Sequence, residues 1–172
     1  MPINVSQLLR SSIGTARNYE VTLTVGIADS ESIVQGKIEL VHTGQCILVK
    51  GTLHTTIEIA CNRCLSLFSC PLTLNIAEEY FAATDVVSGA LLTLPEEPGY
   101  FTIDEYYVLD LTEAVYQNIM LAIPIKPLCR EDCVGLCLKG RHNLSQGAGD
   151  CLSQEIDSNW SELTRLTLAN NT

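Results

Sequence analysis

The stretch Ile47-Leu48-Val49-Lys50-Gly51-Thr52-Leu53-His54-Thr55-Thr56-Ile57-Glu58-Ile59 decides the fold. Ile47, Val49, Gly51, Leu53, Thr55, Ile57 and Ile59 hold one phase of a two-residue period, the pattern that turns one strand face to a core and the other to water. The same period extends outward on both sides. Tyr19, Val21, Leu23, Val25 and Ile27 alternate with Glu20, Thr22, Thr24 and Gly26, and Ile38 and Leu40 alternate with Lys37, Glu39 and Val41. Asp29-Ser30-Glu31-Ser32 and Thr43-Gly44 read as turns between them. After Pro71, Leu72, Leu74 and Ile76 alternate with Thr73, Asn75 and Ala77, and this strand runs into Glu78-Glu79-Tyr80-Phe81. The order predicts an antiparallel meander. His42 and His54 lie in strand patterns and are expected on solvent faces.

Beyond Phe81 the period fades. Residues 82–99, ending in Leu94-Pro95-Glu96-Glu97-Pro98-Gly99, are expected to form a long, mobile, acidic connection. A helix is predicted from about Asp110, where Asp110 and Glu113 have capping-box spacing and Leu111, Val115, Ile119, Ala122 and Ile123 form a helical stripe stopped by Pro124 and Pro127. A short final helix from Asp157 or Ser158 carries Trp160, Leu163 and Leu166 on one side. Asn4 to Leu9 reads as a small helix at the front. The expected class is α+β in a single domain, 1–172: an antiparallel, open or barrel-like sheet from the first half, with the two later helices packed on it and residues 127–153 as a cysteine-containing loop.

The 172 residues carry 20 Asp plus Glu against 10 Lys plus Arg, a net charge of -10. That disfavours a protein that coats nucleic acid by charge alone. No stretch approaches the roughly 18 to 20 apolar residues that span a bilayer, and Met1 to Arg17 lacks the basic start and apolar run of a signal peptide. The expectation is a soluble protein that works where it is made, with reduced thiols. From Leu65 to Ile125 there is no Lys or Arg, whereas Lys126, Arg130, Lys139 and Arg141 follow within one short segment. An acidic middle therefore precedes one local basic spot.

Eight cysteines fall in two groups: Cys46, Cys61, Cys64 and Cys70, then Cys129, Cys133, Cys137 and Cys151. Cys61-Asn62-Arg63-Cys64 has the spacing at which two thiolates on a tight turn face one zinc ion. A complete site needs four ligands, and the candidate set is Cys61, Cys64, Cys133 and Cys137. Two readings compete with zinc: small, reduced core residues that hold no cofactor, and a redox pair with Arg63 lowering a thiol pKa. The redox reading lacks the βαβ context of thioredoxin-like motifs. There is no phosphate-binding glycine loop, nucleophile elbow or H-E-x-x-H, so no enzymatic activity is expected.

The order Cys61-Asn62-Arg63-Cys64-Leu65, an acidic middle, Ile123-Pro124-Ile125-Lys126-Pro127-Leu128-Cys129, Asp132-Cys133-Val134-Gly135-Leu136-Cys137 and Asn143-Leu144 resembles the YceD-like family of large ribosomal RNA subunit accumulation proteins. The resemblance implies a role in synthesis, processing or stability of 23S ribosomal RNA, in bacterial cytoplasm by preference or in plastid stroma. Its motif residues here are Cys61, Arg63, Cys64, Cys129, Cys133, Gly135 and Cys137. Gly140 and Arg141 stand where many members have Cys-Gly, and Ser153 replaces the second Cys of a C-x-C, so a zinc site built from that region is expected to be lost. Two hypotheses follow. In the first, Lys126, Arg130, Lys139 and Arg141 meet phosphates of 23S ribosomal RNA or its precursor, while Asp132 and Asn143 fix the loop by hydrogen bonds. In the second, the acidic middle docks a basic ribosomal protein without RNA contact. Neither DNA nor a membrane is an expected partner.

Overall fold

A computed structural model describes residues 1–27, 30–93, 99–137 and 143–144. In chain order the elements are β1 (Pro2–Asn4), α1 (Ser6–Leu9), β2 (Ala16–Ile27), β3 (Ser30–His42), β4 (Cys46–Ala60), β5 (Leu67–Ala82), β6 (Phe101–Ile103), β7 (Val108–Asp110) and α2 (Thr112–Ala122). The alternating segments pair as the predicted antiparallel meander, β2-β3-β4-β5, and the sheet curls as a half-barrel with β2 and β6 at its edges. Along β4, Ile47, Val49, Leu53, Thr55 and Ile57 are buried and Lys50, Thr52, His54, Thr56 and Glu58 are exposed, as the period demands. Complete burial of a side chain such as Leu53 contributes roughly 1.5–3 kcal/mol.

Gly51 shares the buried phase for a steric reason. A Cβ there would lie 2.4 Å from the Lys37 carbonyl oxygen and 2.8 Å from the Ile38 Cα, so only glycine lets β3 and β4 approach this closely. α2 packs against β5 and β2. It buries Ala114, Val115 and Ile119 in the main core with Leu23, Leu53 and Leu74. Tyr80 is fully buried, stacks on Phe101 with centroids 5.1 Å apart, and donates its hydroxyl to the Asp110 carbonyl at 3.2 Å. Among the described residues no helix is long and apolar enough to cross a membrane.

Several details differ from the sequence reading. β6 runs parallel to β5, and β1 pairs antiparallel with β7 in a two-stranded sheet that three-residue segments did not announce. β5 starts at Leu67, before Pro71 rather than after it. The Ala82 N–H donates to the Gln45 carbonyl, which sets the phase in which even residues of β5 bond to β4. Pro71 therefore turns its missing donor away from β4, where a ladder loses nothing.

His42 is buried, not solvent-facing: its ring nitrogens lie 3.0 Å from the Ser11 carbonyl and 2.8 Å from the Gly44 carbonyl. The capping box does not form. Asp110 ends β7 one position too early, Leu111 takes the N-cap with helical angles, and Glu113 accepts from Gln117 at 2.9 Å. Asp110 accepts instead from the Met1 ammonium (2.8 Å) and from the Thr112 hydroxyl (2.7 Å) and N–H (3.0 Å), which hold its pKa at about 2 against the opposing effect of burial. Between β5 and β6, Asp85 organises a turn by accepting from the Val87 and Ser88 N–H groups. The helix expected from Asp157 or Ser158 lies outside the described residues.

Candidate metal centre

β4 and β5 are joined by the turn that carries the C-x-x-C pair. The Cys61 N–H donates to the Ser66 carbonyl (3.0 Å) and the Leu65 N–H to the Cys61 carbonyl (2.9 Å). To close the turn, Leu65 takes a left-handed φ of 57°, an uncommon state for a residue with a Cβ. The segment after α2 is tied across this turn: the Asn62 N–H donates to the Pro127 carbonyl (2.9 Å) and the Arg63 guanidinium to the Cys133 carbonyl (2.8 Å). The Cys133 N–H in turn reaches the Arg130 carbonyl at 3.2 Å, a turn that points the Cys129 and Cys133 thiols the same way.

Four sulfurs converge. Cys61, Cys64, Cys129 and Cys133 have Sγ atoms all within 4.8 Å of one another, with Cys61–Cys133 at 3.8 Å and Cys64–Cys129 at 3.6 Å. A tetrahedron with Zn–S bonds of roughly 2.3 Å has edges of about 3.8 Å, so the spacing fits zinc. Cys61, Cys64 and Cys133 form a buried cluster of their own, walled by Phe68 and Leu128.

The electrostatics favour thiolate at the turn. Burial alone would raise the Cys61 pKa, but the N–H groups of Cys129, Cys64 and Arg63 aim at its sulfur and together bring it down to about 6. Cys64 is lowered by the Ser66 hydroxyl and N–H. Cys129 is pushed up to about 12 by burial and by its thiol neighbours Cys64, Cys133 and Cys61. In the absence of an ion, four sulfurs this close cannot all ionise, and a divalent cation held among them would supply the compensating charge.

The ligand set differs from the expected one at one position: Cys129 joins Cys61, Cys64 and Cys133, and Cys137 does not. Cys137 is buried but disulfide-bonded, so it has no thiolate to offer, and the expectation of reduced thiols fails at this position. It also lies beyond the turn at Gly135, whose φ is 90° and where a Cβ would meet the Arg63 carbonyl oxygen at 3.2 Å. Gly140, Arg141 and Ser153 lie outside the described residues, and the four sulfurs converge without a ligand from those positions. Arg63 acts through a hydrogen bond to Cys133 and through its backbone N–H, 3.4 Å from the Cys61 sulfur, not as a charge beside a redox thiol.

The remaining candidates are distributed around the centre. Lys126, Arg130 and Asp132 are exposed, with Arg130 Nε 3.7 Å from the Asp132 carboxylate. Asn143 donates to the Ser66 hydroxyl at 3.2 Å, and the Leu144 N–H to the Gly135 carbonyl at 3.0 Å, so this strip also lies on the β4–β5 turn. Lys139 and Arg141 lie outside the described residues. Sequence reasoning passed over Ser66, whose signal was its place two residues after Cys64, within reach of a thiolate.

A sequence profile described as "Large ribosomal RNA subunit accumulation protein YceD" matches residues 49–167, more than half of the chain and both halves of the four-cysteine centre. The chain belongs to the YceD family. An uncharacterized protein of Mycobacterium tuberculosis is 29% identical to it over 76% of this chain and 59% of the relative. A chloroplastic YCED homolog of Arabidopsis thaliana, a protein also named for large ribosomal RNA subunit accumulation, is 26% identical over 88% of this chain and 54% of the relative. The chain thus spans between about half and three-fifths of the length of these YceD relatives. No solved structure matches.

Proposed function

We propose that the chain is a non-enzymatic accessory factor of large-subunit ribosome biogenesis, acting on the synthesis, processing or stability of 23S ribosomal RNA, with a zinc-organised tip as its working surface. The observation that carries the reading is the four-sulfur cluster, which fastens the segment 126–137 to the β4–β5 turn and leaves Arg63, Lys126 and Arg130 exposed around it. Zinc held by Cys61, Cys64, Cys129 and Cys133 supplies a structural crosslink there. The basic side chains supply phosphate contacts that position RNA without reading its sequence. Family membership supports the choice of ribosomal RNA over other nucleic acids.

The test is the ratio of 23S to 16S ribosomal RNA, with precursor ends mapped, in cells depleted of the protein and then supplied with wild type, Cys129→Ser or Arg130→Glu. Wild type is expected to restore the ratio, and both variants to fall short. Equal rescue by all three would sink the reading. A second reading keeps the biogenesis role without RNA contact: the stretch between Leu65 and Ile125, free of Lys and Arg, docks a basic ribosomal protein. It predicts binding that survives nuclease and fails after Glu96 and Glu97 are neutralised.

A further inference from the structure

We propose that Asn143 and Ser66 act on the metal centre as a positioning pair: the Asn143 amide holds the Ser66 hydroxyl so that its single hydrogen is delivered to the Cys64 sulfur. The inference rests on the zinc reading of the four-sulfur centre and goes beyond it, since it gives a role to two residues that would bind no ion themselves.

The turn between β4 and β5 puts Ser66 in place. Its carbonyl accepts from the Cys61 N–H at 3.0 Å, and its own N–H and hydroxyl are both directed at the Cys64 sulfur. One residue thus steadies both cysteines of the C-x-x-C turn. The hydroxyl oxygen accepts in turn from Asn143 Nδ2 at 3.2 Å, across 77 residues of sequence. A serine hydroxyl has one hydrogen and two acceptor sites. With the Asn143 amide on an acceptor site, the hydrogen is turned away from Asn143 and is available to the sulfur. A metal-bound thiolate carries no hydrogen and can only accept, so the direction of the chain, amide to hydroxyl to sulfur, suits an occupied centre. Hydrogen bonds to an ionised acceptor are also the stronger kind.

Asn143 is placed by the segment that supplies the other two sulfurs. An antiparallel bridge pairs Leu136 with Asn143, and the Leu144 N–H donates to the Gly135 carbonyl at 3.0 Å. Gly135 packs so closely on the Arg63 carbonyl that a Cβ would stand 3.2 Å from its oxygen. Cys133, Gly135 and Asn143 are thereby fixed on one side of the C-x-x-C turn. Residues 138–142, which include Lys139 and Arg141, connect Cys137 to Asn143 in the sequence. An ion at the sulfurs therefore acts, through Ser66, on the point where that basic stretch rejoins the tip.

The test is cobalt(II) binding to the metal-free full chain, followed through the sulfur-to-cobalt charge-transfer band, with zinc then added to displace the cobalt. Ser66→Ala is expected to weaken zinc binding about tenfold or more, the usual effect of losing a group that supports a metal ligand. It should also move the band to longer wavelength, because a thiolate that loses a hydrogen bond gives up its electrons more readily. Ser66→Thr, which keeps the hydroxyl, should restore both. Asn143→Asp replaces the amide donor with a carboxylate that draws the hydroxyl hydrogen to itself, and should reproduce the Ser66→Ala result although negative charge alone favours a nearby cation. In the double variant the second substitution should add nothing, since both act through one hydrogen. If Ser66→Ala does not fold, Asn143→Asp decides the matter with Ser66 in place. Zinc affinity unchanged in these variants, an unmoved band, or an Asn143→Asp effect undiminished on the Ser66→Ala background overturns the proposal and leaves the zinc centre standing. Wild type that takes up neither cobalt nor zinc overturns both.

Discussion

Cys129→Ser is expected to reduce bound zinc from about one ion per chain to well below that, while Cys137→Ser retains it, as measured by metal content after gel filtration. The two cysteines flank Cys133 at the same spacing, so spacing alone could not choose between them. What distinguishes them is that Cys129 is a free thiol, brought to the turn by the hydrogen bond from Asn62 to Pro127, whereas Cys137 is disulfide-bonded beyond the left-handed turn at Gly135. Cys61 and Cys64, by contrast, were legible because a C-x-x-C turn is local. His42 gives the opposite lesson. Its phase, shared with Ile38 and Leu40, points inward, and polarity was the wrong guide. Since the part-buried carbonyls of Ser11 and Gly44 flank its ring and at least one accepts from a ring N–H, His42→Leu removes that donor and is expected to cost about 1–3 kcal/mol in denaturant unfolding.

Among the elements, the four long strands were legible because a two-residue period sustained over 12 to 16 residues is hard to mimic. β1, β6 and β7 have three residues each, too few to show a period, and exist because the sheet and α2 offer them partners. The close contact of β3 and β4 makes Gly51→Ala an overpacking change with backbone atoms as the obstacle, and it is expected to destabilise by about 1–3 kcal/mol in thermal unfolding. The packing of β5 under α2 has a pH signature. Burial, then the charges of Glu78 and Asp110, push the Tyr80 phenol above its ordinary range. The neutral form is thus favoured when folded, so this contribution is complete below the unfolded value of about 10 and is lost as pH rises beyond it. Tyr80→Phe should flatten the alkaline limb of a stability–pH curve relative to wild type.

For the whole molecule, the main core and the cysteine cluster are separate apolar bodies sharing Phe68 at their boundary. A chelator is therefore expected to lower the melting temperature and loosen the 126–137 segment first, seen as faster amide exchange at Cys133 with β3 and β4 still protected. Zinc bound at the four sulfurs, at a hundredfold excess over its dissociation constant, would stabilise the folded chain by about 2.7 kcal/mol. The half-barrel was readable as an antiparallel sheet, but its curl and open edges follow from close strand approach and from which strands find neighbours. The centre's sulfurs come from places 65 and 72 residues apart. During synthesis at roughly 5–20 residues per second, Cys64 precedes Cys129 by about 3–13 s, time enough for the meander between β2 and β5 to assemble on local contacts. A chain stopped between Cys64 and Cys129 would offer only half of the four-sulfur site, so metal capture would mark chains whose synthesis has passed Cys133.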